Sequence, residues 1–262
     1  SPESVRLFEF KIKKDRFEIG KYDKEPISFS GTLPSDEDII RAVTKLTRRN
    51  GVNYAHISLP EEQAYFLKLK LPRLKRGEIR EAIELQLEEH IPYSPEEVVF
   101  DYEVVEDNSS LAGFDVSVSV IPKAVVDRYL NILESSGVTP ISFEVEAESV
   151  VRAVVPRDYK GTMMIANIGR KSSVLSIASR GVIWFSFTTK VGGDMFVRTI
   201  SDMMSVSLEE ANRIKTTRGL NRSRENQELV FALAPAVSSL RDEIIKHYWY
   251  WNGHKGSSNR SD

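Results

Sequence analysis

The residues best suited by type and spacing to do chemistry are Asn167 to Ser173, NIGRKSS. A turn of small residues lets backbone N–H groups and short hydroxyls come close to an anionic oxygen. Gly169, Ser172 and Ser173, with Lys171 beside them, therefore have the make-up of a phosphate-binding turn. The plain alternative is an ordinary hairpin turn stabilised by Gly169, since short glycine patterns carry little information by themselves. No Ser, His and Asp constellation, HExxH run or paired-acid arrangement stands out. His56, His90, His247 and His254 lack ligand spacing and read as surface or half-buried residues. The absence of cysteine excludes disulfides, thiol catalysis, iron–sulfur clusters and Cys-ligated zinc, and fits a reducing compartment. Lys68, Lys70, Arg73, Lys75, Arg76 and Arg80 form a basic cluster. It could meet anionic lipid headgroups, worth up to ~1 kcal/mol per charge, or it is a solvated edge that discourages strand pairing.

The 36 Lys and Arg against 38 Asp and Glu give a net charge of −2, so no global field draws the chain to nucleic acid or lipid. A nucleic-acid partner is not expected. With 262 residues, two or three compact units are expected. No run reaches the ~20 apolar residues of a membrane span, and SPESVRLFEF lacks the apolar core of a signal peptide. The reading is a soluble, cytosolic protein without a transmembrane segment. A start at Ser1 and a polar tail suggest a piece of something longer.

Elements must hold these residues in place, and the most legible lies within 74–105. Ile79, Ala82, Ile83, Leu87, His90 and Ile91 recur at three-and-four spacing, with Glu81, Glu84, Glu88 and Glu89 mainly on the other face. That pattern predicts an amphipathic helix. Pro92 and Pro95 end it and turn the chain into a strand over 98–105. Earlier, a hairpin is expected over 5–22 with a charged turn at 11–16, then a helix capped by Ser35 and stopped at Asn50-Gly51. Residues 54–59 read as a buried parallel strand and 62–71 as a strand with one wet and one dry face. Phe114, Val116, Val118 and Val120 share a face of the next strand, after a hairpin loop in EDNSSLAG. A helix over 123–135 closes an α+β module of about eighty residues. A strand over 138–145 and a helix over 146–155 follow. From Thr162, three strands joined by turns at 169–172 and Arg180-Gly181 read as a meander, and helices are expected over 194–204, 208–216 and 225–250. Residues 253–262 read as unstructured or cut.

The wording of the organising stretch, AI..Q.E..IP(Y/F)..EEV..DY.V, resembles the PilM-type family of type IV pilus assembly proteins, with FtsA and the cytoplasmic part of GspL as nearest relatives. The resemblance implies an α/β, actin-like (ribonuclease H-like) two-lobed fold with an inserted strand-helix-strand-strand α+β subdomain, truncated at both ends. It implies a subdomain 1A over 1–58 and 139–158, an SHS2-like insertion 1C over 59–138, and a second lobe over 159–262. NIGRKSS is similar to the family's second phosphate turn, although the usual Asp is Asn167, a weaker oxygen for magnesium. Ser1 and Ser4 would close the first phosphate turn, whose leading acidic strand is missing. Gly192, Gly193 and Asp194, followed by Thr199, Ala211 and Lys215, match the family's GG and EAE..K run, with Asn212 where Glu is frequent. Lys215 could reach a ribose or phosphate; the plain reading makes Gly192-Gly193 a helix start and Lys215 a solvated residue.

By resemblance the cofactor would be ATP or ADP with Mg. The partner would be the N-terminal cytoplasmic peptide of a PilN-like inner-membrane protein, alongside other pilus platform components at the cytoplasmic face of that membrane. Leu87 and Ile91 are the candidate partner-binding residues, with a place in the helix core as the competing role. The implied function is a nucleotide-binding scaffold more than an efficient ATPase. The alternatives are an active actin-like ATPase, an FtsA-like filament former and a GspL-like type II secretion component.

Overall fold

The computed structural model describes residues 4–13, 16–31, 33–105, 113–221, 223 and 226–255. The chain divides into two units, Ser1–Val150 and Val151–Asp262.

In the first unit, β1 (Ser4–Lys13) and β2 (Arg16–Pro26) pair as an antiparallel ribbon with an irregularity at Glu9 and Phe10. The strands are longer than the sequence suggests, because Lys11 to Lys13 stay paired rather than joining the turn; residues 14 and 15 lie outside the described set. α1 (Asp36–Asn50) starts with a reciprocal cap: Asp38 N–H donates to Ser35 Oγ at 3.2 Å and Ser35 N–H donates to Asp38 Oδ2 at 2.9 Å. It stops at Gly51 in the left-handed region, φ 66°. Polar and charged side chains tie it to β2, with Lys45 Nζ donating to Glu25 at 2.5 Å and Asn50 Nδ2 to Asp23 at 2.7 Å.

β3 (Tyr54–Leu59) pairs in parallel with β7 (Thr139–Val145). Parallel pairing follows the expectation, but burial does not. Only Leu59 is buried, and Tyr54 is 68 % exposed. The apolar run is a half-buried strand, because these two strands make a two-stranded sheet with α1 and α3 residues packed on one side.

Between β3 and β7 the chain builds β4 (Tyr65–Leu71), α2 (Ile79–His90), β5 (Val98–Val105) and β6 (Phe114–Pro122) into a separate antiparallel sheet, order β4-β6-β5. The loop predicted in EDNSSLAG falls on residues 106–112, outside the described set. Ile79, Ile83, Leu87 and Ile91 of the α2 stripe pack on Leu69, Leu71, Val98, Phe100, Val116, Val118 and Val120. Ser94 N–H donates to Glu97 Oε2 at 3.0 Å and so shapes the Pro95 turn that separates helix from strand. α3 (Lys123–Ser135), which the sequence reading groups with this module, buries Ile132 and Leu133 beside Val43 of α1 and Val138 instead.

α4 (Glu146–Val154) carries the chain into the second unit. There β8 (Thr162–Ile168), β9 (Ser173–Ser179) and β10 (Val182–Thr189) form the expected meander, order β10-β9-β8. Arg180 and Gly181, φ 56° and 81°, make the tight β9–β10 turn that two positive-φ residues favour. α5 (Gly193–Met204), α6 (Leu208–Arg218) and α7 (Gln227–Lys255) pack around Val197, Ile200, Ala211, Ile214, Leu229 and Leu233. α7 continues past its expected end at Tyr250, so residues 253–255 are helical; 256–262 lie outside the described set.

Leu87 is fully buried and Leu85, two positions away on the same helix, is 78 % exposed. Leu87→Ala is expected to lower unfolding free energy by about 2–5 kcal/mol and Leu85→Ala by under ~0.5 kcal/mol, read from denaturant melts.

Candidate functional site

The β8–β9 turn and the start of α5 form one hydrogen-bonded assembly in the second unit. Gly169 N–H donates to Ser172 O at 3.0 Å, closing the turn. A Cβ at Gly169 would lie 2.5 Å from that same oxygen, so the turn requires glycine. Gly193 N–H donates to Gly169 O at 2.9 Å, and Asp194 N–H to Arg170 O at 2.7 Å. The opening amides of α5, which have no acceptor within their own helix, are thus satisfied by the turn's carbonyls. Gly192 is pressed against the same turn: a Cβ there would meet Arg170 O, Lys171 C and Ser172 N at 2.7–2.8 Å.

Side chains reinforce the assembly. Arg170 Nε donates to Asp194 Oδ1 at 2.8 Å, and the carboxylate in the first turn of α5 also suits the helix dipole. Ser173 Oγ–H donates to Val191 O at 2.6 Å, and Ser173 is completely buried. Lys215 Nζ, arriving from α6, donates to Gly193 O at 3.3 Å.

Gly169, Lys171, Ser172, Ser173, Gly192, Gly193, Asp194 and Lys215 are therefore brought together. Asn167 sits one strand position before the turn region, opposite Val174 of β9. Ser4 opens β1 in the first unit, and Ser1 lies outside the described residues. Thr199 and Ala211 serve structure: Thr199 Oγ1 donates to Met195 O at 2.9 Å and Ala211 is in the core. Leu87 and Ile91 are also core residues, which is the competing role foreseen for them.

Arg170 escaped the sequence reading, although a guanidinium beside a turn glycine is visible in NIGRKSS. Its importance shows only in the pairing with Asp194, 24 residues away. Also missed was a group in the first unit, where Asp101, Ser119, Glu144 and Glu148 converge from four elements. No spacing rule announces residues from β5, β6, β7 and α4. Among the described residues no three or more His, Asp or Glu side chains could hold a metal ion.

The chain is an α/β protein of actin-like fold, as its structural neighbours show. The chain is similar to a protein solved as a PilM-PilN type IV pilus biogenesis complex, at 17 % identity and TM-score 0.74, covering 96 % of this chain and 75 % of that one. It also resembles MreB5 of Spiroplasma citri bound to ADP, at 15 % identity and TM-score 0.50, covering 87 % and 61 %. The family model described as type IV pilus assembly protein PilM matches residues 1–252. The chain belongs to that family.

Gly192→Ala is expected to cost about 1–3 kcal/mol in denaturant melts, because backbone of the turn must shift to admit the methyl group. Gly77→Ala, with nothing within 4 Å of the added carbon, serves as the control and should change little.

Proposed function

We propose that the chain is a cytoplasmic scaffold of the type IV pilus inner-membrane assembly platform, which holds the N-terminal cytoplasmic peptide of a PilN-like membrane protein. The observation that carries this reading is the family match over residues 1–252. The likeness to a PilM solved with PilN supports the choice of partner. In this reading the membrane-anchored partner recruits the chain; among the described residues no helix is long and apolar enough to cross a membrane. Within residues 59–138, β4, α2, β5 and β6 act as the inserted 1C subdomain: β3 and β7 are neighbours in one sheet, and β4, β6 and β5 make a sheet of their own. Its edge strands, β4 and β5, offer main-chain hydrogen bonds to an extended peptide, with specificity supplied by side-chain pockets. Other platform components would join through the same membrane partner.

ATP or ADP binds, in this reading, at the β8–β9 turn and the start of α5, as a regulator. The turn suits a phosphate by its charge and small residues: Lys171 and Lys215 supply positive charge beside Ser172 and the start of α5. It fits magnesium poorly, because Asn167 offers an amide where a carboxylate would hold the ion's shell. Phosphoryl transfer depends on metal and positioned charge, so a scaffold suits these residues better than an efficient ATPase.

Calorimetry with the synthetic cytoplasmic peptide of a PilN-like protein, with and without ADP, tests the partner. Saturable binding is expected, and its absence under both conditions would remove the scaffold reading. In a phosphate-release assay, magnesium should raise turnover little, and Asn167→Ala should leave it unchanged. Magnesium-dependent turnover abolished by that substitution would establish the ATPase instead. Nucleotide-dependent sedimentation would mark a filament former, and preference for a type II secretion partner peptide a GspL-like component.

A further inference from the structure

The β1–β2 ribbon has two unlike faces. Val5 and Glu25 are partners across it and turn toward α1: Val5 packs on the core around Val43, and Glu25 is buried beside Lys45 and Arg49. One position along, Arg6 and Lys24 oppose each other on the other, exposed side, because strand side chains alternate. Phe8, Phe10 and Ile12 follow on that outer side at every second residue, with Tyr22 opposite Phe8 and Ile19 opposite Phe10. The rings bear out the shared face: the Phe8 ring centre lies 6.5 Å from that of Phe10 and 4.8 Å from that of Tyr22. All five residues are more than half exposed, Ile12 by 73 %. They make a contiguous apolar strip of the kind that marks contact sites on soluble proteins.

We propose that this outer face docks on an anionic lipid bilayer, a direct membrane contact that goes beyond recruitment through the partner peptide. Charge complementarity selects the occupant. Residues 6–24 hold seven Lys or Arg against four Asp or Glu, in a chain whose net charge is −2. Two of the four acids are engaged, Glu18 with Lys13 at 2.8 Å and Asp23 with Arg49 at 2.9 Å. The strip begins at the Arg6–Lys24 rung and is interleaved with the exposed Lys11 and Lys21. Apolar surface edged by positive charge complements a layer with phosphate outside and hydrocarbon beneath.

A second copy seated on the same face would set one basic ribbon against another, which like-charge repulsion opposes. An acidic polypeptide would answer the charge but leave Phe8, Phe10, Ile12 and Ile19 without an apolar counterpart. A bilayer answers both. Aromatic rings settle at headgroup level, and lysine stems lie along apolar surface while their ammonium groups stay in water. The ribbon presents these residue types in one plane with α1 behind it, so contact with lipid leaves the core of the first unit undisturbed. A single shallow contact of this kind is weak and reversible. Beside a membrane-anchored partner it acts as the second of two attachments.

Partition of the full chain onto vesicles, with no partner peptide present, tests the surface independently of the scaffold reading. Phosphatidylglycerol-containing vesicles should bind the chain, and pure phosphatidylcholine vesicles should bind it at least about tenfold more weakly. Binding should fall as salt is raised. Ile12→Gln with Ile19→Gln should weaken partition by at least about tenfold, and Lys11→Glu with Lys21→Glu severalfold. Leu85→Gln, at a comparably exposed apolar residue of α2, should leave it unchanged. Because the chain has no cysteine, Ile12→Cys and Leu85→Cys can each carry one environment-sensitive dye. Only the dye at position 12 should shift to the blue on phosphatidylglycerol vesicles, a readout that holds even if a glutamine variant fails to fold. No partition onto the anionic vesicles, equal partition onto both kinds, ribbon variants that bind as the unaltered chain does, or an unshifted dye at position 12 overturns the proposal. So does self-association lost in Ile12→Gln without vesicle binding, which marks a second copy, or polyglutamate binding without vesicle binding, which marks an acidic partner.

Discussion

Parallel pairing between β3 and β7 is the constraint from which the first unit takes its form. Parallel strands cannot be joined by a tight turn, and here the chain between them runs from Pro60 to Val138. Loop-closure cost grows only logarithmically, by about 0.6 kcal/mol for each doubling of length, so a long excursion costs little more than a short one. What the excursion must do is bury its own apolar surface. It does so with α2 laid over β4, β6 and β5, where Val116, Val118 and Val120 have no exposed surface. The returning helix α3 then leaves that core and packs beside α1, which anchors the excursion to the sheet it left.

The second unit is organised by a different economy of hydrogen bonds. A helix that starts directly after a strand leaves its first amides without intrahelical acceptors. α5 meets that requirement with the carbonyls of a turn from elsewhere in the sheet, at 2.9 Å and 2.7 Å. Close approach of two backbones is possible only because Gly192 has no side chain. A close backbone contact of this kind calls for the same small residue types as a phosphate turn would. This overlap is why glycine patterns are such weak evidence for function when read alone.

Both units place polar chemistry where elements distant in sequence meet. The Arg170–Asp194 pair joins a turn to a helix, and the Ser119–Glu148 contact joins a strand to a helix. Exposed ion pairs of this kind contribute little to stability, typically below ~1 kcal/mol. A half-buried carboxyl with acidic neighbours differs, since burial is the largest influence raising its pKa and salt does not screen that influence.

Local rules made much of this legible. Ser35 and Asp38 announced the start of α1, Gly51 its end, Pro92 the end of α2, and the spacing of Ile79, Ile83 and Leu87 a face that is indeed buried. These signals act over a few residues, through caps, φ restrictions and helical period, so the sequence contains them whole. Tertiary structure decided the rest. It left β3 half-exposed although its residues are apolar, because burial depends on what covers a strand. It assigned α3 to the partner of α1 and extended α7 to Lys255. It spent the Ser173 hydroxyl on Val191 and set Glu148 among Asp101 and Glu144, because a side chain's partner is chosen by the meeting of elements that no spacing within the chain encodes.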